Sequence, residues 1–132
     1  MSIDFSKAAG VHDDALRLRA ERTKVLASNI ANVSTPGYQA RDIDFAASLR
    51  SALATSGGLG DGSGDGFNGE LALDTGDQDM KYRVPYHPAQ DGNTVELGVE
   101  QAAFAQNALD FQTSLSFVNM KLKGLAKAIS GQ

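Results

Sequence analysis

The residues of this chain that could do chemistry are few, and each spacing that suggests a site fails on inspection. Asp61-Gly62-Ser63-Gly64-Asp65-Gly66 sets oxygen donors and a glycine as the opening of a calcium loop does. The bidentate glutamate that closes such a loop has no counterpart, because Ala72 stands there. His12 and His87 are the only histidines, and they lack the HExxH-type spacing of a metal site. Asp42 and Asp44 sit two apart, on opposite sides of an extended strand, so they cannot share a substrate. No serine stands in a G-x-S-x-G elbow, and without cysteine there is no thiolate or disulfide chemistry. The expectation is a protein that is not an enzyme and takes no metal or cofactor.

The elements that would hold such residues are far clearer than the residues themselves. Residues 11–33 read as one helix, with Val11, Ala15, Leu18, Val25, Leu26 and Ile30 on its apolar side. Arg17, Arg19, Arg22 and Lys24 are interleaved with Asp13, Asp14 and Glu21, which describes a solvated or ion-paired face rather than a phosphate-binding patch. At the other end, Phe104, Ala108, Phe111, Leu115, Val118, Leu122, Leu125 and Ile129 alternate steps of four and three, the spacing of a coiled-coil seam. Glu96 and Glu100 near the start of this second helix and Lys121, Lys123 and Lys127 near its end suit the helix dipole.

Between the helices the pattern weakens. Residues 40–53 read as an extended piece followed by a short helix. From 56 to 69, seven of fourteen residues are glycine, the composition of a flexible loop. Leu71, Leu73, Tyr82, Val84 and Tyr86 suggest short β pieces and a small hairpin. The fold expected is mainly α: long N- and C-terminal helices packing as a coiled coil, with a short, glycine-rich, β-containing middle. It divides into residues 1–55, 56–94 and 95–132 within one structural domain.

Size and charge narrow the function classes. The chain has 132 residues, 42% of them hydrophobic and 21% charged, and no apolar run long enough for a membrane span. Its N-terminus lacks the pattern of a secretory signal. Residues 51–94 carry seven acidic and two basic groups, so the acidic excess lies in the middle and argues against a nucleic-acid partner. A compact domain of this length is about 36 Å across. A helix over 96–129 is roughly 50 Å long, so it overhangs the globule and needs a neighbour to cover its apolar line.

The first helix ends in Asn29-Ile30-Ala31-Asn32-Val33-Ser34-Thr35-Pro36-Gly37-Tyr38. Thr35 is driven out of the α region by Pro36, whose fixed φ suits the second position of a turn, and Gly37 tolerates positive φ at the third. Asn29 and Asn32 flank the apolar stripe with amides able to hydrogen-bond at a packed seam. This run and its continuation Gln39-Ala40-Arg41-Asp42-Ile43-Asp44-Phe45 resemble the N-terminal signature of the bacterial flagellar axial proteins, and within them the basal body rod proteins. Tyr82-Arg83-Val84-Pro85 and Asp91-Gly92-Asn93-Thr94-Val95-Glu96-Leu97 extend the resemblance into the second half.

The resemblance implies a structural subunit of the proximal rod, whose terminal helices pack with each other and with neighbours into a hollow rod across the periplasm. It implies export without a cleaved signal peptide through the flagellar type III apparatus, with Ile3 and Phe5 contributing to recognition. Partners would be other copies, other rod proteins, the export apparatus and basal body ring or adaptor proteins. Nucleic acid and small-molecule substrates have no place in it. Two alternatives stand beside this reading: a different rod subunit, and a cytoplasmic coiled-coil adaptor. The adaptor leaves the run from Asn29 to Tyr38 unexplained.

Overall fold

The computed structural model describes residues 11–56 and 80–131. In chain order these form helix α1 (Val11–Ala31), strand β1 (Arg41–Ile43), helix α2 (Phe45–Ser56), strand β2 (Met80–Tyr82) and helix α3 (Leu97–Ser130). Asp13 and Asp14 lie in the first turn of α1, where the helix dipole favours negative charge. Asp44 starts α2 by accepting the Ala47 N–H on its Oδ1 at 3.2 Å. Gly131, in the left-handed conformation at φ 70°, closes α3 with its N–H on the Lys127 carbonyl.

The two long helices run antiparallel. His12 stacks on Phe117, Arg19 meets Asp110, and Asn29 meets Glu100, so the start of α1 lies beside the middle of α3. At about 1.5 Å per residue α1 is about 31 Å long and α3 about 51 Å. Among the described residues the buried apolar side chains are Ala15, Leu18 and Leu26 of α1, Ala40 just before β1, and Ile43 of β1. No helix among the described residues is long and apolar enough to cross a membrane.

Strand β2 pairs antiparallel with β1, in the register Arg41 with Tyr82, Asp42 with Lys81 and Ile43 with Met80. Leu71, Leu73 and the glycine-rich stretch lie outside the described residues.

One expectation is corrected, and it concerns the line that α3 turns toward α1. Its buried residues are Glu100, Asn107 and Ser114, spaced seven apart and all polar. The apolar line of the sequence lies one residue further along, roughly 100° round the helix. Phe104, Ala108, Leu115, Leu122 and Ile129 on it are exposed, and Phe111, Val118 and Leu125 are half-buried. The reason is that α1 offers Arg19, Arg22, Thr23 and Asn29 on the side facing α3. A buried donor without an acceptor costs about 1 to 3 kcal/mol, more when charged. Leaving a leucine part-exposed forfeits only part of its roughly 1.5 to 3 kcal/mol of burial.

Candidate functional site

The turn after α1 is built as its residue types require. Tyr38 N–H closes on the Thr35 carbonyl at 3.3 Å, and Gly37 takes φ 72° at the corner. No atom lies within 4 Å of where a Gly37 Cβ would stand, so the requirement for glycine is conformational rather than steric. Pro36 is exposed, and Thr35 hydrogen-bonds Asn32 Oδ1.

What holds this turn comes from the segment before α3. The Asn93 side-chain amide nitrogen lies 2.9 to 3.0 Å from the carbonyls of Asn32, Val33 and Thr35, serving the carbonyls that the end of a helix leaves open. Its Oδ1 accepts the Val95 N–H at 2.7 Å. Gly37 N–H donates to the Asp91 carbonyl, Thr94 N–H to the Tyr38 carbonyl, and Ala40 N–H to Thr94 Oγ1. The residues of the Asp91 to Val95 block therefore form a clasp on the turn, across more than fifty residues of sequence.

A second cluster ties four elements together. Arg22 of α1 makes a bidentate contact with Asp42 of β1, at 2.9 and 3.0 Å. Arg83, just after β2, donates to Asp42 at 2.7 Å and to Glu100 of α3 at 2.8 Å. Glu100, with no exposed surface, also accepts from Asn29 Nδ2 at 3.0 Å. Asn29 takes the place of a third strand beside β1, donating to the Arg41 carbonyl at 2.7 Å and accepting its N–H at 3.2 Å. Two guanidinium and two carboxylate groups leave the cluster neutral, as a buried ionic network must be.

The electrostatics follow from these contacts. Burial alone pushes the Asp42 carboxyl upward, but hydrogen bonds from Arg22, the Ile43 N–H and Arg83, with the Arg22 charge, outweigh it and hold the group below the usual carboxylate value. The hydrogen bond to Asp42 raises Arg22 above its ordinary value in turn. Asp44, in water, is lowered by its hydrogen bond to Lys81. The two aspartates of the sequence pair thus have separate structural partners. Among the described residues no three of His, Cys, Asp or Glu gather to hold a metal ion.

Of the residues singled out in the sequence, the structure brings Asn29, Asn32, Thr35, Gly37 and Tyr38 into this assembly, with Leu18 and Leu26 buried behind it and Val25 and Ile30 half-buried. It keeps the apolar line of α3 apart. Sequence reasoning missed Arg22, Arg83, Asn93 and Asn107 as partners. The signal available was a shared heptad: Ala15, Arg22 and Asn29 on α1 against Glu100, Asn107 and Ser114 on α3.

The polar groups described here serve other parts of the protein, and among the described residues an apolar line along α3 stays exposed; such a molecule belongs to the class of structural subunits. The family model for flagella basal body rod protein matches residues 11–39, the helix and turn just described. The flagellar basal body rod protein FlgB of Aeromonas hydrophila is 44% identical across the whole of this chain and 99% of its own length. The proteins of that name from Escherichia coli K12 and Salmonella typhimurium are 42% and 41% identical, covering 88% and 89% of both chains. The chain belongs to the family of the flagellar basal body rod protein FlgB.

Proposed function

We propose that this chain is a structural, non-enzymatic subunit of the proximal rod of the flagellar basal body. It assembles through the outward line of α3, from Phe104 and Ala108 through Phe111, Leu115, Val118, Leu122 and Leu125 to Ile129. The observation that carries the reading is the inverted character of α3: its buried residues Glu100, Asn107 and Ser114 are polar while large apolar side chains of the same helix stay in water. An exposed apolar line of this extent is a surface made for other chains. The polar seam fixes how α1 lies on α3, and the apolar line faces neighbouring subunits, whether copies of this chain or other rod proteins. In the same reading the subunit reaches the periplasm through the flagellar export apparatus, without a cleaved signal peptide, and contacts basal body ring or adaptor proteins.

Deleting the gene and isolating basal bodies tests the proposal. The deletion strain should be non-motile and lack the rod, and a density map of wild-type basal bodies should hold the chain at the proximal rod. A motile deletion strain with complete rods would remove this function.

A further inference from the structure

The loop before α3 carries the pair Asp91-Gly92, and the clasp on the turn uses both residues. Gly92 takes φ 75°, in the left-handed region that disfavours a side chain. Asp91 Oδ1 accepts the Asn93 N–H at 3.1 Å, a local turn that sets Asn93 toward the end of α1. An aspartyl-glycyl peptide is also open to attack from its own side chain, because glycine has no Cβ to shield its nitrogen. The glycine that the backbone requires is therefore the one that makes this bond labile.

The same contacts hold both halves of that peptide in place. Gly92 N–H donates to the Ala89 carbonyl at 3.2 Å, and the Asp91 carbonyl accepts the Gly37 N–H at 2.9 Å. Attack requires the Gly92 nitrogen to give up its proton and the peptide plane to turn onto the Asp91 side chain, which breaks these bonds. Asp91 and Gly92 are both exposed, so solvent reaches the pair as soon as the clasp opens.

We propose that Asp91-Gly92 is a site of isoaspartyl modification, suppressed by the clasp in the folded chain, and that the modified chain cannot close the clasp again. The Gly92 nitrogen bonds to Cγ of the Asp91 carboxylic acid, and the amide proton leaves with the carboxyl hydroxyl as water, giving a succinimide ring. Water then opens the ring at one of its two carbonyls. Opening at Cγ restores aspartate. Opening at the former main-chain carbonyl leaves the chain running through Cβ and Cγ, with a free carboxylate on Cα. The water lost equals the water regained, and no electrons are exchanged. The longer route adds one carbon, about 1.5 Å of chain, between Asp91 Cα and the carbonyl that leads to Gly92. Asn93 Nδ2 serves its three carbonyls at 2.9 to 3.0 Å, and a displacement of that size takes it out of hydrogen-bond reach. A chain that waits unfolded loses the means to hold its turn.

The test incubates the full-length chain at neutral pH in native buffer and, in parallel, in denaturant. Product is read by a methyltransferase that labels isoaspartate, and is placed by a protease that cuts before aspartate but not before isoaspartate. In denaturant Asp91 should convert together with Asp61-Gly62 and Asp65-Gly66, the other aspartyl-glycyl pairs of the chain. In native buffer conversion at Asp91 should be slower by at least about tenfold, because a bond held in structure reacts only when its region opens. Equal rates in the two conditions, or no product at Asp91 in denaturant, overturn the proposal. After return to native buffer, the aged chain should exchange its amides in residues 32–40 faster than the fresh chain. Asp91→Glu, aged identically and converted only at the other pairs, should exchange as it did when fresh. No change in the first chain, or an equal change in both, also overturns it.

Discussion

The two sides of α3 divide the work of the molecule. Toward α1 the helix presents Glu100, Asn107 and Ser114, buried and hydrogen-bonded or closely packed. Roughly a quarter-turn away it presents Phe104, Leu115 and Leu122, each more than a third exposed. A self-sufficient protein would reverse the two. Here polar geometry joins the chain to itself, which favours one register, because a shift along the seam would strand buried charges. Apolar area, which is non-directional and larger in total, is left for association.

The sharpest way to break this contrast is to remove Glu100. Glu100→Ala leaves Arg83 without its second acceptor and Asn29 Nδ2 with one partner fewer in a site closed to water. Loss of one member of a buried ionic cluster costs about 3 to 5 kcal/mol. Chemical denaturation of the free chain should show it, and a loss under about 1 kcal/mol would mean that the seam does not hold the helices together.

Asn93 comes next. Asn93→Ala removes the donor shared by three carbonyls at the end of α1 and the acceptor of Val95 N–H, at an expected cost of about 1 to 3 kcal/mol. The loss should be local first. Amide exchange in residues 32–40 should accelerate more than in the middle of α1, and uniform acceleration would count against the clasp.

These two residues also mark where the sequence stops being legible. Both long helices, their ends and the turn at Pro36-Gly37 could be read because their causes are local: apolar period, fixed proline φ, glycine at positive φ. The polar seam could not, because a search for hydrophobic period selects Phe104 to Ile129 and passes over Glu100, Asn107 and Ser114 as a solvated face. Their partners on α1 lie 71 to 88 residues away, and nothing local announces them. The pairing of β1 with β2 was hidden in the same way, since its register depends on Asn29 and Arg83 rather than on strand composition.

Asp42 gives a prediction in pH. Its carboxyl titrates below the ordinary value in the folded chain, so its contribution is complete above the unfolded value and is lost as pH falls through the folded one. Stability should be level from about pH 5 to 7 and decline below about pH 4. Asp42→Asn should be less stable at neutral pH and show a shallower decline in acid. An unchanged acid limb in that variant would assign the decline to other carboxylates.

The smallest expected effect on folding belongs to the outer line, and it tests the contrast from the opposite side. Leu115 is 40% exposed and on a helix face turned away from α1, so Leu115→Ser gives up only part of a leucine's burial and leaves no polar group stranded. The free chain should lose no more than about 1 kcal/mol, well below the Glu100→Ala loss. Incorporation into basal bodies should nevertheless fall sharply, because in the assembled rod the same position would be covered and a serine hydroxyl would have to find a partner there. The informative quantity is the ratio of the two effects. A residue of the inner seam disturbs assembly only as far as it disturbs the fold, whereas a residue of the outer line disturbs assembly while the monomer melts almost as before. If Leu115→Ser unfolded the free chain as Glu100→Ala is expected to, the apolar line would be part of the subunit's own core, and the division of α3 into an inner polar and an outer apolar face would have to be given up.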